Sequence, residues 1–153
     1  MSKSLKSKVR HSQPAPSFAR IETFEELAYW QKGRELTKTV YRTSRSGEFA
    51  KDFALRDQVR RACISVTSNI AEGFERGGDK EFVQFLSQAK GSCGEVRSQL
   101  YVALDEGYIS EAQFAVMKGL ALETSRAIAG MMGYLTRSQL RGSKYRTLDT
   151  RPN

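Results

Sequence analysis

Residues 65–82 read SVTSNIAEGFERGGDKEF. Val66, Ile70 and Phe74 step by four, which is one face of a helix. The pair Gly77-Gly78 breaks that helix, and Asp79 is an N-cap candidate for the next. A helix, a two-glycine stop and a second helix make an antiparallel hairpin. Backward from it, Leu55, Val59 and Ala62 continue the stripe to a start near Phe53, so the second helix is expected over Phe53–Arg76. Forward from it, Phe82, Phe85, Leu86, Ala89, Cys93, Val96, Leu100 and Ala103 carry a third helix to about Glu106, where Gly107 stops it.

The outer helices follow from the same signals. Thr23 with Glu26 is a capping box, opening a first helix with Tyr29, Gly33, Leu36 and Val40 on one face and Gly47 at its end. A second apolar line, Leu27, Trp30 and Tyr41, lies away from that face and is a candidate partner surface. Ser110 with Gln113 is another capping box. It opens a fourth helix striped by Met117, Leu120, Ala121, Thr124, Ile128, Met131 and Leu135 and running to about Leu140. Four long helices with short loops predict an all-α, antiparallel up-down-up-down four-helix bundle over residues 22–140. Residues 1–21 are expected to be a disordered basic arm and 141–153 a basic tail.

The chain has 153 residues and a net charge of +8. Lys3, Lys6, Lys8, Arg10 and Arg20 stand in residues 1–20 without an acid. Arg137, Arg141, Lys144, Arg146 and Arg151 stand against Asp149 alone in residues 137–153, which leaves the middle of the chain at −1. Basic arms on a neutral core predict contact with a polyanion. Arg56, Arg60, Arg76 and Lys80 are local additions to that surface. No apolar run reaches the roughly 20 residues of a membrane span, and the N-terminus lacks the apolar segment of a secretory signal. Two cysteines give no disulfide framework. A cytoplasmic protein without membrane contact is expected.

Chemistry is thinly represented. His11 is the only histidine, so His-based triads and metal sites have no place in the bundle, and no metal or cofactor is expected. No phosphate-binding glycine loop is present. Glu72 and Glu95 are the best carboxylate pair, but hairpin register puts them about 16 Å apart along the axis, too far for paired-carboxylate hydrolysis. The expectation is a non-enzymatic protein with no catalytic residues.

The hairpin also acts as a ruler. Residues equidistant from the turn lie level, which sets Arg61 beside Glu95 and Cys63 beside Cys93. An ion pair from Glu95 to Arg61 or Arg60 is expected, together with two reduced, buried thiols. Ser68, Asn69 and Glu72 are expected to form a polar network near the helix end, with Ser92 too far up the third helix to join directly. Gly91 and Gly94 inside a helix each cost about 1 kcal/mol relative to Ala. Close approach of another helix, within the chain or across a subunit contact, is the expected reason.

Several of these residues fall in a known pattern: Trp30-Gln31; then Gln58, Arg60, Arg61 and Ala62; then Ser68-Asn69-Ile70-Ala71-Glu72-Gly73; then Gly91, Ser92 and Glu95. Over about residues 24–136 the chain resembles the four-helix-bundle family encoded by intervening sequences of bacterial 23S ribosomal RNA genes. The resemblance implies a homo-oligomer, a pentameric ring. It also implies kinship with the accessory variability determinant of diversity-generating retroelements, which binds nucleic acid and a reverse transcriptase. Val66-Thr67 departs from the Ile-Pro or Val-Pro usual there, so no proline kink is expected. The reading is a ring-forming bundle that binds RNA or DNA mainly by electrostatics, as an accessory to a nucleic-acid enzyme. The alternative is a protein-binding scaffold.

Overall fold

The computed structural model describes residues 20–148, with side chains through Ser138. Its elements are a 3-10 turn at Phe24–Glu26, then α1 (Ala28–Thr43), α2 (Gly47–Lys51), α3 (Phe53–Arg76), α4 (Asp79–Asp105) and α5 (Glu111–Leu148). Helix α1 packs on α3 and α5, α3 on α4, and α4 on α5. That closed circuit is the four-helix bundle, with α2 as a short addition. Among the described residues there is no strand, and no helix is long and apolar enough to cross a membrane.

The start of α1 differs from expectation. The Glu26 carboxylate accepts from the backbone N–H groups of Glu22 and Thr23 at 2.8 and 2.9 Å, and these bonds hold its pKa below the usual carboxylate range. They close the 3-10 turn, while the α-helix begins only at Ala28, because Leu27 is extended (ψ 122°). The other end differs too. Helix α1 stops at Thr43, and Gly47 opens α2 instead of closing α1. This five-residue helix carries Phe49 into the core, where it stacks on Tyr108 at 5.6 Å. Asp52 then caps α3 by accepting from Leu55 N–H and also accepts from the Tyr108 hydroxyl at 3.0 Å.

Helix α3 has the expected limits. Gly77 takes the left-handed conformation (φ 78°) that ends it. Gly78, not Asp79, is the N-cap of α4, and Asp79 lies in the first turn, where its charge favours the helix dipole. Helix α4 ends in a Schellman motif, with Tyr108 N–H on Ala103 O, Gly107 N–H on Leu104 O and Gly107 at φ 73°. The Ser110–Gln113 capping box forms in both directions, at 2.9 and 3.1 Å. Helix α5 continues to Leu148, beyond the end expected near Leu140.

The core falls into two clusters. One gathers Leu36, Val40, Phe49, Val59, Leu100 and Met117, and the other Tyr29, Ile70, Leu86, Val66, Ile128 and Leu135. Helices approach closely at two glycines. A Cβ on Gly33 would lie 3.1 Å from the Thr67 methyl and 3.2 Å from Val66. A Cβ on Gly73 would lie 2.6 Å from the Phe85 Cβ and 3.0 Å from the Phe82 ring. Gly91 behaves otherwise: among the described residues nothing lies within 4 Å of its would-be Cβ, and only the Arg97 guanidinium, at 4.0 Å, approaches that of Gly94. Among the described residues no contact asks for these two to be glycine.

Cys63 and Cys93 are free and fully buried. Burial pushes the Cys63 thiol up to about 12 and the Cys93 thiol up to about 11. A raised thiol pKa means that the fold holds the neutral form while the unfolded chain ionises near 8.5. The thiols' contribution to stability is therefore complete below about pH 8.5, falls above it, and levels off only beyond the folded values. Between pH 8 and 10 the loss should be on the order of 1–2 kcal/mol per thiol. Urea unfolding at the two pH values, with Cys63→Ala/Cys93→Ala as the reference, measures it. In the native chain both thiols should resist a thiol reagent that labels both in denaturant.

Candidate nucleic-acid interface

The polar residues of the hairpin assemble differently from expectation. Ser65 and Asn69 are one turn apart on α3. The Asn69 amide donates to Ser65 O at 2.8 Å and to Ser65 Oγ at 3.0 Å. Ser65 Oγ in turn bonds Ser92 Oγ on α4 at 2.9 Å. Ser92 therefore belongs to the network through Ser65, and Ser68 and Glu72 do not. The reason is angular: steps of four keep Ser65 and Asn69 in one row facing α4, whereas Ser68 turns outward and is exposed. Glu72 pairs with Arg76 at 2.9 Å on the solvent side. Ser65→Ala should cost about 1 kcal/mol by orphaning the buried Ser92 hydroxyl, and Ser68→Ala should stay within about 0.5 kcal/mol. Urea midpoints read both.

The expected Glu95 ion pair with Arg61 or Arg60 does not form. Arg61 and Glu95 are both exposed, and water competes well for two solvated charges on long side chains. Arg60 is bound elsewhere. Its Nε donates to the buried Ser44 Oγ at 2.8 Å and Nη2 to Tyr41 O at 3.4 Å. Its guanidinium lies 4.5 Å from the Tyr41 ring centre. Arg60 thus caps the end of α1 and backs Tyr41.

The other basic residues singled out from sequence do not converge. Arg56 bonds Asp57 and the Ala50 carbonyl and covers the Phe53 ring. Arg76 bonds Glu72 and covers Phe85 at the other end of α3, about 30 Å away along the helix. Lys80, Arg20, Arg137 and Gln58 are exposed at separate places. Lys3, Lys6, Lys8 and Arg10 lie outside the described residues, as do the side chains of Arg141, Lys144 and Arg146.

A basic groove forms instead between α1 and α3. Its volume is about 470 Å3. Arg34, Lys38, Arg42 and Arg45 supply its cations, and no lining residue is acidic. Among the described residues none of the four has a carboxylate within 4 Å. Trp30 and Tyr41 are its aromatic walls, and Ile64 lies in its floor with Thr37 and Thr67. Trp30 packs edge-on against Phe24, ring centres 5.1 Å apart, with the Arg34 guanidinium 5.9 Å from its ring. The apolar line expected on α1 is thereby divided. Leu27 is buried in the core, while Trp30 and Tyr41 are half-buried on the groove. The signal for this site stood in the sequence as Trp30, Arg34, Lys38 and Arg42, each one turn after the last.

A model of the 23S rRNA-intervening sequence protein family matches residues 25–130. The chain belongs to that family. A crystal structure of a protein with unknown function from the S23 ribosomal protein family of Bacteroides thetaiotaomicron has the same fold, with a TM-score of 0.64 at 18% identity, covering 69% of this chain and 98% of the other. No curated protein matches the chain. The residues that carry the family resemblance gain physical roles here. Gln31, beside Trp30, donates to Glu25 O at 2.8 Å and ties α1 to the 3-10 turn. Gly73 permits the close approach of α3 and α4. Ser92 joins the hairpin through Ser65. In this family member the groove residues Arg34, Lys38 and Arg42 stand on α1, outside that set.

Proposed function

We propose that this family member is a non-enzymatic nucleic-acid-binding protein that uses the α1–α3 groove as its ordered contact and the basic ends of the chain as auxiliary ones. One observation carries this reading. Four cations without an acid line a groove walled by two aromatic side chains, and that combination suits a polyanion with stacking surfaces. Binding is salt-steep and weakly sequence-specific, because the cations address phosphates.

The reading includes self-association. Gly91, Gly94 and Ala129 line a second groove, between α4 and α5, and Tyr134 is 61% exposed on α5. Glycines that no contact among the described residues requires support a surface kept smooth for another copy. Assembly would multiply grooves and arms along one strand and raise avidity without new contacts. A ring of five, implied by the family resemblance, is one such assembly, and mass measurement in solution counts the copies.

The test is a salt titration of nucleic-acid binding by the full chain and by Arg34→Gln/Lys38→Gln/Arg42→Gln. A weaker and shallower titration for the variant supports the groove. Equal titrations place the contact elsewhere, and absence of binding by the unaltered chain sinks the reading in favour of a protein scaffold.

A further inference from the structure

We propose that the α1–α3 groove accepts an unpaired base, so that its ligand is single-stranded nucleic acid. The proposal rests on the nucleic-acid reading above and names the form of its ligand. Three features of the groove go beyond phosphate binding.

The first is its apolar floor. Ile64 is 45% exposed there and lines the groove together with Thr67 and the half-buried Trp30 and Tyr41. A duplex offers a helix surface its phosphates, with its bases paired and stacked inside, and would leave this floor wet. An unstacked base covers it.

The second is that both aromatic walls are braced. Arg60 backs the Tyr41 ring at 4.5 Å and is itself held by Ser44 Oγ and Tyr41 O. Phe24 buttresses Trp30 edge-on at 5.1 Å. Rings fixed before binding lose little freedom on stacking, and stacking on them is tolerant of base identity.

The third is the row of cations. Arg34, Lys38 and Arg42 advance by one turn each, about 6 Å of rise per step. That repeat resembles the spacing of neighbouring phosphates in a stretched strand. The groove's volume of about 470 Å3 is in the range of small-ligand sites, with room for a base and its sugar.

Trp30 is the single tryptophan of the chain, so its emission reports on the groove. The experiment titrates the full chain with oligouridine, with the same strand paired to oligoadenine, and with polyglutamate, following Trp30 emission together with binding of each labelled ligand. The expected result is saturable quenching by oligouridine and none by the duplex or polyglutamate. Ile64→Asp alters a half-exposed position and leaves Trp30 in place. It should abolish the quenching and weaken oligouridine binding by about tenfold, the scale of one lost stacked base. Tyr41→Ala should weaken oligouridine binding by a similar factor. Equal quenching by strand and duplex overturns the proposal. So does oligouridine binding without quenching, or binding untouched by Ile64→Asp; each leaves the nucleic-acid reading standing. Quenching by polyglutamate would assign the groove to an acidic protein partner. Failure of either nucleic acid to bind removes the function proposed above as well.

Discussion

Gly73→Ala lowers the unfolding free energy by about 2 kcal/mol. The methyl would meet the Phe85 Cβ at 2.6 Å, an atom fixed to the α4 backbone that no rotamer change can move. Helices α3 and α4 must part locally, and overpacking of this kind costs about 3 kcal/mol at the upper end of its usual range. The better helix propensity of Ala returns about 1 kcal/mol. Gly91→Ala has the opposite sign. Its methyl meets nothing within 4 Å among the described residues, so the same propensity gain raises the stability of the single chain by up to about 1 kcal/mol. Urea unfolding with unchanged m-values separates the two. Like signs at both positions would contradict the close packing of α3 on α4.

Neutralising Arg34, Lys38 and Arg42 together reduces single-strand affinity about a hundredfold at 0.1 M salt. Each phosphate contact on a single strand contributes about 0.7 to the slope of log affinity against log salt. At 0.1 M one contact is then worth about fivefold, and three are worth about two orders of magnitude. The variant's slope is shallower by about 2, and the two titrations converge as salt nears 1 M. Unfolding is the control. All three side chains are exposed and have no carboxylate partner among the described residues, so stability should move by no more than about 0.5 kcal/mol. A loss of affinity with an unchanged slope would mean that these cations do not meet phosphates.

The fold was legible where a periodic stripe ended in a distinctive stop. Val59, Val66 and Ile70 mark the buried face of α3, and Gly77 ends it in the left-handed conformation. Helix α2 was not legible, because five residues are too few to show a period, and Phe49 reads alone as an isolated aromatic. The hairpin ruler gave axial level but no direction around each helix. It set Arg61 beside Glu95, yet both face water, and it omitted Ser65, which carries the bond to Ser92. The groove escaped for a related reason. Charge was summed along the chain, where α1 disappears into a middle segment of −1. Taken round the helix, the same cations fall into one row next to Trp30. Arg60 shows the converse, since it counts as a surface charge in sequence while the fold employs it to hold Tyr41 and the end of α1.

Gly33 never faces the groove, yet it sets the groove's gauge. With only 3.1 Å between its would-be Cβ and the methyl of Thr67, α1 rests as near to α3 there as a hydrogen allows. Thr67 is also a lining residue of the groove, so the separation of α1 from α3 across the groove is fixed from behind. A side chain at position 33 would act as a shim, parting α1 from α3 while leaving every cation and both rings chemically intact. The width available to a ligand is thus encoded in a residue that the ligand never touches, and selection for that width would fall on the back of α1.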